Sequence, residues 1–205
     1  MYIPSAFAVD DRAALLEVMR QHSFATLITV EDGQPFATHL PLLIDADRGA
    51  HGVLVGHVAR GNPQWRHLEA GEALVIFQGP HAYVSPAWYG DGPPNVPTWN
   101  YIAVHAYGAA RIIADPALVA GQLRALVEAH EAADSGWSLD LAYAGKAQAG
   151  VVAFELEITR LEGKFKLSQN KPAAARAGVA AALAASPRDH ERAVAAAMLA
   201  GDPAQ

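Results

Sequence analysis

TWNYIAVHAYGAARII, residues 98–113, is the stretch that decides the fold. Trp99, Tyr101, Ala103, His105 and Tyr107 fall on one side of an alternating pattern, and Asn100, Ile102, Val104 and Ala106 on the other. A period of two is the mark of a β-strand. The pattern predicts one long strand, bent at Gly108. Outward from it, Asp115-Pro116 starts a helix, with Asp as cap and Pro at the first position. Gly150–Thr159 alternates Val152, Phe154, Leu156 and Ile158 against Glu155 and Glu157, which predicts a half-exposed strand. Before it lies Pro86–Pro97, with four prolines and two glycines, read as a loop.

The N-terminal half continues in the same manner. Asp10–Ser23 reads as a helix with a Leu15, Val18, Met19 stripe, capped by Asp10 or Asp11. Phe24–Val30 and Pro35–Ile44 flank Asp32-Gly33, a hairpin turn dipeptide. Gly52–His57 reads as a third strand, and the three as an antiparallel meander. Asn62-Pro63 starts a short helix that Gly71 ends. Glu72–Gln78 and His81–Ser85 read as two strands parted by Gly79-Pro80. Pro172–Ala200 is Ala-rich and helical, with a second start at Ser186-Pro187 and an end at Gly201. About seven strands without a βαβ rhythm predict a mainly β chain, an antiparallel barrel closed on itself with helices packed on it. The expected division is a barrel domain over 1–170 and a helical extension over 171–205.

Composition narrows the function. With 205 residues, 52% hydrophobic and 18% charged, the chain can build a sizeable core. No apolar run reaches membrane length, and the N-terminus lacks the pattern of a signal peptide. Cysteine is absent, which excludes thiolate chemistry and fits a cytoplasmic protein. A net charge of −6 argues against a broad nucleic-acid surface. The basic candidates, Lys171 with Arg176 and Arg188 with Arg192, are sparse and lie near Asp189 and Glu191. There is no Walker loop, G-x-G-x-x-G or G-x-S-x-G, and His130 with Asp134 is only a helical pair, so no metal site is expected.

Three segments mix cations, amides and aromatics: GHVARGNPQW (56–65), VPTWNY (96–101) and KFKLSQN (164–170). In the first, His57 ends a strand, Arg60 offers a guanidinium that can grip two phosphate oxygens, and Asn62-Pro63 opens a helix. An ordinary connection with a surface arginine reads the same way. Thr38 and His39 lie on the neighbouring strand, as ligand contacts or as a covered strand edge. Trp88, Tyr89, Trp99 and Tyr101 are candidates to stack on a ring, to fill an oligomer interface or to pin the loop. Lys164, Lys166 and Ser168 share one strand face, suited to phosphate or to guarding an exposed edge.

These motifs, in order with MYIPSAF (1–7), ATHLPLLID (37–45), LVGHVARGNPQW (54–65), IFQGPHAYVSPAWY (76–89), VHAYG (104–108) and KFKLSQNK (164–171), resemble the FMN-binding negative transcriptional regulators, the PaiB-like proteins. The resemblance runs through nearly the whole chain. It implies a split β-barrel similar to flavin reductases and pyridoxamine-phosphate oxidases. It further implies a homodimer with FMN at the subunit interface. Thr38, His39 and Leu40 would line the flavin. His57, Arg60 and Asn62 would hold its phosphate end. Trp99, Asn100, Lys166, Ser168 and Gln169 would complete the pocket. The implied role is transcriptional regulation, with a flavin-dependent oxidoreductase using NAD(P)H as the alternative. Direct DNA binding and haem in place of flavin are further readings.

Overall fold

The computed structural model describes residues 1–90, 95–132, 135, 137 and 148–200. Gly201, Asp134 and part of the 86–97 loop lie outside them. The described elements are β1 (Ala8–Val9), α1 (Arg12–Gln21), β2 (Phe24–Glu31), β3 (Gln34–Pro41), β4 (Leu43–Asp45), β5 (Val53–Ala59) and β6 (Glu72–Val84). They continue with β7 (Thr98–Ile113), α2 (Pro116–His130), β8 (Val151–Lys166), α3 (Ala173–Ala184) and α4 (Asp189–Leu199).

Local chemistry explains most of these. Asp11 Oδ1 accepts the Ala13 amide and caps α1, and Asp115 does the same for α2 through Ala117. Asp32 and Gly33 both take positive φ, 50° and 76°, as a type I′ turn requires. The hairpin pairs from Phe24 opposite Pro41 to Glu31 opposite Gln34.

Three expectations change. The second strand breaks at Leu42, whose amide turns to Ser23 O. Gly79-Pro80 does not interrupt β6. Gly79 is there because a Cβ would stand 3.0 Å from that of Ile102, so it answers a close approach and not a turn. Finally, the three N-terminal strands pair antiparallel in sequence order, but the second does so in two pieces, β3 on β2 and β4 on β5. The strand order is β3-β2-β6-β7-β8-β5-β4, with β1 added on β8. β5 pairs with β4 and β8, so β3 and β4 sit at opposite ends of the order although one residue separates them. The sheet is a barrel split between β3 and β4, not a closed one.

Contacts divide the chain into two compact units. The first comprises His22–Phe77 and Ala106–Leu161. Leu27, Leu54, Val75, Phe154 and Leu156 form its fully buried centre. Arg48 grips Glu155 with both terminal nitrogens at 2.9 and 2.8 Å, and Arg111 adds a third bond at 2.7 Å. The Arg48 hydrogen bonds hold the Glu155 carboxyl below its ordinary pKa. A carboxylate with a depressed folded pKa contributes stability above its unfolded pKa and loses it as pH falls through the folded one. Glu155→Gln is therefore expected to cost about 1 kcal/mol at neutral pH and low salt, and less at high salt. Thermal melts at pH 7 and pH 3 check it, because the difference must shrink on the acid side.

The second unit comprises Met1–Gln21, Gln78–His105 and the chain from Glu162 on. Leu15 of α1 lies so close to Gly163 that a Cβ there would meet its Cδ2 at 2.2 Å. The helices α3 and α4 bury Val179, Ala180, Leu183, Val194, Ala195 and Met198. Gly178 lets α3 settle on the backbone of Trp88, where a Cβ would stand 2.4 Å from the carbonyl oxygen.

Candidate functional site

In the first unit, Asn62 is the central polar residue. Its Oδ1 accepts the Gln64 amide, capping the 3-10 turn Pro63–His67. Its Nδ2 donates to Thr38 Oγ1 at 2.8 Å. The turn is thereby tied to β3. Behind it, buried Gln64 donates from Nε2 toward Leu27 O, Thr29 Oγ1 and Phe36 O at 3.1–3.3 Å. Gln64 is missed by sequence reasoning; its only signal is its place two residues after the Asn62 cap.

Arg60 is more committed than the sequence suggests. Nε and Nη2 donate to Ala149 O and Val151 O at 2.8 and 2.7 Å, and Arg60 O accepts from Trp65 Nε1. The head is held in one orientation, and among the described residues Nη1 has no acceptor. Burial pushes the His57 imidazole below its ordinary pKa, so at neutral pH it offers a hydrogen bond without charge. Thr38 and His39 project to opposite faces of β3, because successive strand residues alternate. Thr38 and buried Leu40 share one face. His39 lies on the other, 3.0 Å from Thr26 Oγ1 and stacked on Phe24.

In the second unit, Lys166 ends β8 with its Nζ 2.7 Å from Thr98 Oγ1 and 2.6 Å from Trp99 O. Burial, then the nearby charges of Lys164 and Lys171, lower its pKa. Among the described residues no carboxylate pairs with Lys166 or Lys171. Ser168 does not extend the strand face. It takes a left-handed φ of 63°, and with Asn100 it forms a buried pair: Asn100 Nδ2 donates to Ser168 Oγ at 3.0 Å beside Met198 Sδ. Gln169 folds back, donating to Phe165 O and accepting from the Leu167 amide. These three side chains shape the turn after β8 and have their polar groups engaged. Trp99 is 54% exposed and meets Tyr83 edge-on at 6.1 Å. Thr98, inside a quoted motif but not singled out from it, proves to be a polar partner of Lys166, and Lys171, read from the sequence only as a sparse basic residue, adds a nearby charge.

The second unit offers Lys166 and the exposed Trp99 ring, and the first, by itself, Arg60 and the exposed His39 ring. A cation suits a phosphate, and an exposed ring is a stacking surface.

Comparison with known proteins places this geometry. The family described as "Putative FMN-binding domain" matches residues 1–160. "Protease synthase and sporulation protein PAI 2" of Bacillus subtilis is 41% identical over 176 residues, covering 83% of each chain. An uncharacterized protein of Emericella nidulans is 30% identical over 222 residues, covering 87% of this chain and 88% of its own. Among solved structures, the FAD and heme binding protein from Mycobacterium smegmatis superposes with a TM-score of 0.58 at 22% identity, covering 78% of this chain and 73% of that one. The flavocytochrome Anf3 of Azotobacter vinelandii gives 0.58 at 17%, covering 78% and 69%. The fold is that of split-barrel proteins. The chain belongs to the FMN-binding family that includes the PaiB-like regulators, and the family supports FMN as its cofactor. No helix of the described residues is long and apolar enough to cross a membrane.

Proposed function

We propose that the protein is an FMN-binding regulator that acts as a homodimer in the cytoplasm. The observation that carries the cofactor reading is Lys166, fixed by Thr98 and Trp99 O and lacking a carboxylate partner among the described residues. A half-buried cation without a counter-charge is stabilised by an arriving phosphate. In the first unit the residues proposed as cofactor contacts are Arg60, Asn62 and Thr38, with Leu40 on the Thr38 face of β3, His39 on its other face, and His57. Asn100, Ser168 and Gln169 support Lys166 by fixing the turn behind it. Bound FMN supplies a redox-active ring; the chain's residues bind it and exclude water.

FMN titration followed by absorbance and fluorescence tests this. Saturable binding at micromolar FMN is expected, weakened about tenfold by Lys166→Met through loss of one charge-assisted contact. Absence of a spectral change at those concentrations would overturn it. Because the Lys166 pKa is lowered, affinity is expected to fall as pH rises through that value, when the ammonium loses its proton.

Exposed Phe24 (69%) and Val30 (59%) on β2, with β3 at the end of the strand order, support a second copy as the cover of that face. Sedimentation equilibrium checks the dimer. Direct DNA contact gains little support, since Arg188 pairs with Glu191 and Arg192 with Asp189. Regulation through a partner or through flavin redox state is the reading we adopt. The exposed His39 imidazole favours one second reading, an NAD(P)H-dependent reductase. A rate of flavin reduction no greater than that of free FMN would exclude it.

A further inference from the structure

The second unit contains a hollow that the flavin reading does not use. It has a volume of about 520 Å³ and lies between the 3-10 turn Pro86–Tyr89 and α3. Trp88, Tyr89, Ala174, Ala175, Gly178 and Lys171 are among the residues that line it. A smaller hollow of about 220 Å³ adjoins it, sharing Tyr89, Asn170 and Lys171 and containing Lys166. Three features of this place point to a ligand.

The first is that the space is held open. Gly178 fixes α3 on the Trp88 backbone, and Val179, Ala180 and Leu183 anchor the same helix in the core. From its first turn the helix offers Ala174 and Ala175 to the hollow, and their methyls cannot reach across. Collapse would require moving a helix that is already packed.

The second is charge. Lys171 Nζ donates to Asn95 Oδ1 at 2.7 Å and stands 5.1 Å from the Tyr89 ring centre, over its face. An ammonium has three protons, so donors remain. Burial, and then the charges of Lys164 and Lys171, depress the Lys166 pKa. A bound anion relieves the repulsion between these charges.

The third is the wall chemistry. Apart from Lys171 and the two amides Asn95 and Asn170, the lining is aromatic or aliphatic. A site of this size with few polar groups fits a compact, largely apolar ligand. A bare inorganic ion would leave the aromatic wall unmatched.

We propose that this hollow is a binding site for a small planar carboxylate, its carboxylate on Lys171 and its ring between Trp88 and the alanine face of α3. It goes beyond the cofactor reading, because none of its lining residues is among those proposed above to hold FMN. A ligand here would bridge α3 to the turn Pro86–Tyr89 that opens the 86–97 loop, and so report on the state of the C-terminal helices.

The probe is 2-naphthoate, titrated into the full chain and followed by tryptophan fluorescence and calorimetry. We expect one saturable site per chain, weakened about tenfold in Lys171→Met, the loss of one charge-assisted hydrogen bond. Ala175→Trp, which fills the hollow, is expected to abolish naphthoate binding while FMN titrates as in the parent. Neutral 2-naphthol binding as tightly as naphthoate would overturn the carboxylate assignment. Competition between naphthoate and FMN would overturn a separate site, since the hollow would then be part of the flavin's. Failure of FMN to bind, with naphthoate binding intact, would sink the cofactor reading and leave this one standing. Should Lys171→Met lower the melting temperature, Lys171→Arg, which keeps the charge, is expected to restore both stability and binding.

Discussion

Gly108→Ala is expected to destabilise the protein by about 3 kcal/mol, the high end for overpacking a core. An added Cβ would stand 2.0 Å from Glu157 O and 2.7 Å from Leu156 Cδ2. The first obstacle is backbone on the neighbouring strand β8, so it cannot swing aside as a side-chain tip would. Relief requires separating β7 from β8 where both run through the barrel unit. In a chain of this size, about 3 kcal/mol lowers the melting temperature by about 6–12 °C. Gly61→Ala is the control. Nothing lies within 4 Å of its added Cβ. At a φ that alanine tolerates, the change is neutral or stabilises by a few tenths, because it restricts the unfolded chain. Equal melting temperatures for the two variants would mean that β7 does not approach β8 as closely as described.

That glycine illustrates what the sequence makes legible. That Gly108 is a special position is readable, since a glycine in a strand pattern marks a bend or a close approach, and the structure shows the close approach. Which neighbour comes close is not readable, because β8 is some 45 residues away in the chain. The β2–β3 hairpin is legible for a local reason: Asp32-Gly33 has the conformations the turn needs. The crossing from β3 to β4 is not, because a one-residue break at Leu42 looks like continued strand and its partner Ser23 is remote. Gly79-Pro80 misleads in the opposite sense. A turn-like dipeptide is overridden by packing on Ile102.

The candidate site divides in the same way. Asn62 is legible as a cap because capping is local chemistry, and the structure shows its amide also reaching Thr38. Lys166 is legible as a strand-borne cation. Ser168 is misassigned to its face because alternation assumes extended backbone, and Ser168 is left-handed. The pairing of Asn100 with Ser168 beside Met198 joins three distant segments, which no local pattern encodes.

The second large effect concerns Gln64. It is fully buried, and its amide serves Leu27 O and Thr29 Oγ1 of β2 and Phe36 O of β3. Its own backbone amide is the one that Asn62 caps. Gln64→Ala removes the two N–H groups that these three acceptors share and opens a cavity behind the turn. Each unmet buried group costs about 1–3 kcal/mol, and a buried side-chain truncation costs about 2–4 kcal/mol. Relaxation and water entry offset part of the sum, so we expect about 3 kcal/mol. Gln64→Met fills the volume without the amide, which separates the two contributions: recovery of most of the stability would assign the loss to the cavity, and little recovery to the hydrogen bonds. The turn also carries Asn62 and follows Arg60. Loosening it is therefore expected to weaken FMN binding under conditions where Gln64→Met is still fully folded by circular dichroism. A folded Gln64→Met protein that binds FMN as the parent does would show that the Asn62–Thr38 side of the cluster does not hold the cofactor, and would leave Lys166 and its neighbours as the flavin's anchor.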